Sequence, residues 1–163
     1  MMRAKIISWF TSPLLALLFR WCLGVIFVFA GLIKIADPLG FAHALYNYHI
    51  LPTWMINPLA ILLPWIEVMV GVSLLAGVMI LGGALMVSGM LAVFAAVLVI
   101  SLIRGLDVAC GCFSTSAAAE HVTWLYVVRD IFLLGMGIHI LLFDRGYASL
   151  TRLIQTQLYK ISD

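Results

Sequence analysis

Charged side chains are scarce in this sequence, and their scarcity excludes an ordinary soluble domain. Asp, Glu, Lys and Arg make up 10% of the 163 residues, hydrophobic residues make up 65%, and the mean hydropathy is +1.19. Soluble domains carry about 25% charged and about 45–50% apolar residues. The net charge of +2 is small, and the basic residues are spread toward the chain ends. Because nucleic-acid binding needs a basic patch, we predict no nucleic-acid partner.

Cysteine is also rare, which excludes a disulfide-dense fold and argues against a metal centre. The chain has three cysteines, too few for a disulfide scaffold. Cys22 stands alone in the first apolar run and is expected to be a small buried side chain. A zinc site needs about four ligands, and the histidines available to Cys110 and Cys112 do not follow a standard zinc spacing. A haem would need a pair of histidines inside the membrane, so we predict neither metal nor haem.

What the sequence does have is four apolar runs, each long enough to cross a bilayer, which takes about 20 residues. We predict an all-α four-helix transmembrane bundle in a single integral membrane domain (1–163), with spans at residues 13–36, 54–79, 84–103 and 122–143. The first run exceeds the core of a cleaved signal peptide, about 7–15 residues, so it is interpreted as a retained span. We expect a hairpin turn near Leu81–Gly83, a short interfacial helix within 37–53 and an amphipathic surface tail at 144–163.

Loop charges predict the orientation of the bundle. Five basic residues lie in the two terminal segments, and two lie at the opposite side of the membrane. The positive-inside rule then predicts that both termini are cytoplasmic, so the loops 37–53 and 104–121 face outward together. In a bacterium this is a multi-pass protein of the inner (plasma) membrane. Its loop 104–121 faces the periplasm, where disulfides persist.

Two thiols lie close together in that outer loop, as Cys110-Gly111-Cys112. A disulfide needs Cα atoms about 4.4–6.8 Å apart, which residues i and i+2 in a turn can meet. The ring would be very small, so its chain-entropy benefit is slight, and a strained bond is easily reduced. The spacing favours a redox pair. Inert or structural cysteines and a metal-binding pair are the alternatives.

Charged residues also occur inside the spans, where they are costly and should face the bundle interior in pairs. We expect Glu67 to pair with Arg129 or Arg20, and Lys34 to extend to the interface at the end of the first span. Arg129 and Asp130 are adjacent on a helix and point about 100° apart, so we do not expect them to pair with each other. Such a cluster either binds a quinone or relays protons, or it only fixes helix packing.

A larger set of residues follows a recognisable order along residues 14–143. The set comprises Arg20-x3-Gly24-x2-Phe27-x2-Ala30-Gly31-x2-Lys34-x3-Pro38, Tyr48-x2-Leu51-Pro52, Pro64-x2-Glu67-x3-Gly71, Arg104-Gly105, Cys110-Gly111-Cys112-Phe113 and Arg129-Asp130. This pattern resembles the MauE family, within the wider DoxX-like group of four-helix membrane proteins. Ser114 departs from the family, which usually has glycine after the phenylalanine.

The resemblance implies a membrane protein that acts with a thioredoxin-like partner of the MauD type in maturing periplasmic proteins, especially in forming their disulfides. DoxX relatives are associated with quinol-linked oxidases. By this resemblance Cys110 and Cys112 would be the redox pair. The polar residues of the motif would be Arg20, Lys34, Glu67, Arg129 and Asp130.

We therefore predict a membrane thiol–disulfide oxidoreductase whose catalytic Cys110 and Cys112 exchange disulfides with a periplasmic thioredoxin-fold protein. Electrons would pass to a membrane quinone in the outer half of the bundle, bound by Glu67, Arg129, Asp130, Arg20 and Trp124. A non-catalytic assembly or scaffold subunit is the alternative, and a small-solute or proton carrier is a third. The sequence leaves open the direction of electron flow, the identity of the partner and the oligomeric state.

Overall fold

Five helices make up the part of the chain that the computed structural model describes, residues 12–105 and 124–144. They are α1 (Pro13–Ala36), α2 (Pro38–Asn47), α3 (Thr53–Ala76), α4 (Ile80–Ile103) and α5 (Trp124–Phe143). All but α2 are long and apolar enough to span a membrane, and no strand occurs among the described residues. The predicted all-α fold with four spans is confirmed. The location of the termini and the single-domain assignment stay predictions.

Two predicted features lie outside the described residues. One is the segment that carries Cys110 and Cys112, between Gly105 and Trp124, and the other is the amphipathic tail beyond Asp144. The short helix expected between the first two spans is confirmed as α2, which buries Phe41 against the bundle. Its location at the membrane interface stays a prediction.

The turn between α3 and α4 comes earlier than the sequence predicted. It begins at Gly77, which has a left-handed φ of 70°. The Gly77 N–H donates to the Leu74 carbonyl at 3.2 Å and the Val78 N–H to the Ser73 carbonyl at 3.0 Å, which together form a Schellman motif. Gly83, where the turn was expected, lies inside α4, and a Cβ there would be 3.1 Å from Leu74 Cδ2. Gly83 therefore serves helix packing, while Gly77 provides the turn.

Glycines bring α1 and α3 into backbone contact. A Cβ added at Gly24 would lie 3.0 Å from the Gly71 carbonyl oxygen, and one added at Gly71 would lie 2.8 Å from that of Gly24. A Cβ at Gly31 would lie 2.8 Å from the Pro64 carbonyl oxygen. Since lipid tails are as apolar as the side chains, close packing of this kind drives helix association in a membrane. The contacts pair the middle of α1 with the end of α3 and the end of α1 with the middle of α3, which is an antiparallel register.

The rest of the bundle is built by α1 packing on α5, and α5 packing on α4. Gly137 of α5 lies against Ser88 of α4, since an added Cβ would be 2.5 Å from the Ser88 hydroxyl. The interior cluster consists of Leu23, Phe27, Leu74, Ala84, Val87, Leu91, Leu133, Met136 and Ile140. Cys22, which was expected to be buried, is exposed on the outer face of α1. In a spanning helix that face is turned toward lipid, where an apolar thiol is as well accommodated as in a protein core.

Candidate functional site

A buried ion pair joins α1 to α3 in the bundle interior. The Lys34 Nζ donates to the two carboxylate oxygens of Glu67 at 2.5 and 2.8 Å, and the two side chains are 3% and 2% exposed. Two expectations were therefore wrong. Lys34 does not extend to the interface, and the partner of Glu67 is this lysine rather than Arg129 or Arg20.

The direction of helical side chains explains this pairing. Side chains on an α-helix point back toward its N-terminus. Lys34 lies near the C-terminal end of α1, so its side chain points back into the bundle and away from the near interface. Glu67 lies midway along the antiparallel α3, so its side chain points toward the end of the bundle where Lys34 lies. Gly31, one turn before Lys34, leaves room, because a Cβ there would be 3.2 Å from Glu67 Cβ.

The Lys34 ammonium also lies near two aromatic rings. Its Nζ is 5.1 Å from the ring centroid of Phe41 on α2 and 5.3 Å from that of Phe94 on α4, within cation–π range. An ammonium has three N–H donors, and Glu67 takes two of them. Within residues 12–105 and 124–144, no further acceptor is bonded to Lys34. One N–H therefore remains for a water or a ligand.

A second ion pair lies on α5. Arg129 Nε and Nη2 donate to Asp130 Oδ1 at 3.0 and 2.8 Å, although the two residues were not expected to pair. The Cβ atoms of neighbouring residues do diverge, but the arginine side chain is long enough to fold across the gap. Its guanidinium carbon lies 5.2 Å from the Tyr126 ring centroid. Asp130 is 3% exposed and Arg129 is 29% exposed, so the carboxylate is the buried member of this pair.

Both ion pairs line one small chamber of about 30 Å³. A water needs about 10–15 Å³ of probe-occupied space together with polar partners. The chamber is large enough, and four of the residues that line it are charged. The structure thus brings together three of the predicted site residues, Glu67, Arg129 and Asp130. It adds Lys34, which the sequence had not assigned to the quinone site. The signal that could have identified Lys34 is its spacing of three residues from Gly31, which puts both on the helix face that meets α3.

Two predicted site residues lie apart from this chamber. Arg20 is fully buried fourteen residues before Lys34, about 21 Å along the helix, with its Nη1 3.5 Å from Asp144 Oδ2. Trp124 is the first residue of α5 and is 59% exposed. Neither side chain lines the chamber.

A much larger cavity, of about 470 Å³, is also lined by Lys34. Its walls come from α2, α3, α4 and the loop before α3, and include Phe41, Tyr48, Leu59, Leu63, Gly89 and Phe94. Among the described residues that line it, Lys34 carries the charge. Lys34 and Phe94 line both spaces, so the polar chamber and the apolar cavity adjoin at these two side chains.

Comparison with known proteins identifies a family for most of the chain. The family model described as methylamine utilisation protein MauE matches residues 12–143. Neither a curated protein nor a solved structure matches the chain. The matched range contains all four spans, the Lys34–Glu67 and Arg129–Asp130 ion pairs and the Cys-Gly-Cys sequence.

Proposed function

We propose, from the premise that this chain belongs to the MauE family of methylamine utilisation membrane proteins, that it is a thiol–disulfide oxidoreductase. Its redox pair is Cys110 and Cys112, and its biological role is in the maturation of periplasmic proteins. The observation that carries the proposal is a Cys-Gly-Cys sequence between two spans of a family member whose described bundle holds one other cysteine, Cys22. The protein lies in the bacterial inner membrane with the Cys110–Cys112 segment on the periplasmic side.

The proposed exchange moves two electrons between two thiol pairs. A thiolate of a periplasmic thioredoxin-fold partner attacks one sulfur of the Cys110–Cys112 disulfide and forms a mixed disulfide. The second thiol of the partner then attacks the mixed disulfide. The partner leaves as a disulfide, and Cys110 and Cys112 are left as two thiols. To restore the disulfide, two electrons and two protons pass from these thiols to a membrane quinone, which leaves as quinol.

The bundle supports this arrangement by where the chain enters and leaves the thiol segment. Tyr48, Leu98 and Val127 pack together, which brings α2, the end of α4 and the start of α5 to one end of the bundle. The segment between Gly105 and Trp124 starts and ends at that end. The large cavity has part of its wall there, since Tyr48 and Leu98 line it.

The test is a reconstituted cycle with a matched cysteine control. Protein in vesicles that contain a quinone is given a reduced thioredoxin-fold partner, and quinol formation is followed by absorbance. We expect Cys110→Ala/Cys112→Ala to abolish partner-dependent quinol formation. Cys22→Ala, an exposed thiol on α1, should leave the rate unchanged. If the double variant still turns over thiols and still supports maturation, the scaffold alternative replaces the redox proposal.

A further inference from the structure

The geometry points to the large cavity beside Lys34 as the quinone site, with the free N–H of Lys34 donating to a quinone carbonyl. This inference rests on the proposed function and gives it a location. It moves the quinone away from Arg20 and Trp124, which line neither space, to the space enclosed by α2, α3 and α4.

The size and the walls of the cavity suit a flat ring with an apolar tail. Its volume of about 470 Å³ lies within the range of about 300–1,000 Å³ that is usual for small-molecule sites. Its aromatic side chains, Phe41, Tyr48 and Phe94, can pack against a ring in offset or edge-to-face contact. The remaining walls are mostly leucine, methionine and valine, which suit an isoprenoid chain.

The cavity opens on the surface that faces lipid. Leu85, Met86 and Val93 of α4 line it and are 57%, 55% and 62% exposed. Leu59 and Leu63 of α3 also line the cavity and are half-buried. A quinone with an isoprenoid tail dissolves in the bilayer, so this side opening is the route by which it enters without crossing water.

The charge state of the polar end favours a neutral ligand over an anion. Glu67 neutralises Lys34 at 2.5 and 2.8 Å, so the pair as a whole presents no net charge to the cavity. A fatty-acid carboxylate or a lipid phosphate would meet the nearby Glu67 carboxylate as well as the ammonium. A quinone carbonyl brings no charge and needs one donor, which is what Lys34 has left. In apolar surroundings a hydrogen bond from an ammonium is stronger than one between neutral groups.

One glycine allows the cavity to be filled without disturbing the bundle. Gly89 of α4 lines the cavity, and a Cβ added there meets no atom within 4 Å. Gly135 of α5 has the same open surroundings and does not line the cavity. Both lie within spanning helices. In Gly89→Phe the new ring therefore fills the cavity, whereas in Gly135→Phe it lies outside the cavity.

The experiment measures binding of decylubiquinone to the purified full-length protein in lipid nanodiscs, by isothermal titration. We expect wild type and Gly135→Phe to bind with the same Kd, and Gly89→Phe to weaken binding at least tenfold. If Gly89→Phe binds as well as Gly135→Phe, the cavity is not the quinone site. If oleate displaces decylubiquinone with an equal or lower Kd, the cavity is a lipid site and the quinone assignment is overturned.

The role of Lys34 needs a variant that leaves no buried charge behind. In Lys34→Met/Glu67→Gln both charges are removed together, and Kd should rise roughly 10- to 100-fold, the loss expected for one hydrogen bond from a charged group. An unchanged Kd would remove Lys34 as the donor. A circular-dichroism spectrum with wild-type helical content establishes that the double variant is folded.

The outcomes separate this inference from the proposed function. Cys110→Ala/Cys112→Ala should bind decylubiquinone with wild-type Kd, because the cavity is built from other residues. Gly89→Phe should still form a mixed disulfide with a thioredoxin-fold partner, because that step needs no quinone. Suppose that Gly89→Phe loses quinone binding while the Cys110→Ala/Cys112→Ala variant keeps full activity. The quinone site would then stand, and the proposed oxidoreductase function would be rejected.

Discussion

The close contact of α1 with α3 predicts a measurable cost for a single methyl group. In Gly71→Ala the new Cβ would lie 2.8 Å from the Gly24 carbonyl oxygen, 2.9 Å from the Val28 backbone nitrogen and 2.8 Å from Val28 Cγ2. Carbon atoms pack at about 3.5–4.0 Å, so α3 must withdraw by roughly 0.5–1 Å. Two of the three contacts are backbone atoms, which no rotamer change can move aside. Overpacking of this kind costs about 1–3 kcal/mol.

A matched glycine isolates that cost. Alanine is favoured over glycine in a helix by about 0.8–1.0 kcal/mol, a gain that Gly71→Ala shares with Gly135→Ala. The second variant meets no neighbour within 4 Å, so the difference between the two is the overpacking term. We expect Gly71→Ala to have the lower free energy of unfolding by about 1–3 kcal/mol. The assay is reversible unfolding by SDS in mixed micelles, followed by circular dichroism.

Gly71→Ala should also disturb the ion pair between Lys34 and Glu67. Glu67 lies one turn before Gly71 on the same face of α3, so withdrawal of the helix carries its carboxylate away from Lys34. Gly71→Ala should therefore also weaken decylubiquinone binding, whereas Gly135→Ala should not. Equal unfolding free energies for the two variants would refute the backbone contact between α1 and α3. They would also refute the predicted effect of that contact on the Lys34–Glu67 ion pair.

Two further predictions concern the ion pair and the turn. Lys34→Met alone should lower the free energy of unfolding by about 3–5 kcal/mol, because it leaves Glu67 buried without its partner. Lys34→Met/Glu67→Gln should regain most of that loss in the same SDS titration, and a double variant no more stable than the single one would contradict this. Gly77→Ala should cost about 1–2 kcal/mol, because φ is 70° there. Gly82→Ala, inside α4 with no atom closer than 4.0 Å, should cost nothing, and equal losses for the two would contradict the turn assignment.

The architecture could be predicted from hydropathy because a span needs only length and a lack of charge. The four runs and the spanning helices follow from that requirement, whereas the short helix after α1 follows from the helical spacing of its apolar residues. The turn could not be placed, because Gly77, Gly82 and Gly83 are equally permissive in the sequence. The position of the turn depends on two things: which glycine ends α3 with a left-handed φ, and which glycine is needed for packing against Leu74. Both depend on how the two helices meet.

The charged residues of the site were only partly predictable, and their pairing was not. Glu67, Arg129 and Asp130 were assigned to it, whereas Lys34 was missed and Arg20 lies elsewhere. The cost of burial is a property of each residue and can be assigned from the sequence. Partner choice depends on the register of α1 against α3, which the contacts of Gly24 with Gly71 and of Gly31 with Pro64 fix. The large cavity is lined by residues from several helices that are distant in the sequence, so no local pattern encodes it.

The ion pair itself does not distinguish a structural cluster from a binding site, since both need buried charges to be neutralised. The difference lies in what the pair leaves unsatisfied. A pair that only fixes helix packing would be enclosed, with its donors used within the protein, because an unbonded buried donor is costly. Lys34 instead keeps one N–H and lines a cavity of about 470 Å³. A water in the small chamber or a ligand in the cavity can accept from that N–H, and the apolar walls of the cavity favour a ligand over a water on that side. This favours a binding site over a structural cluster.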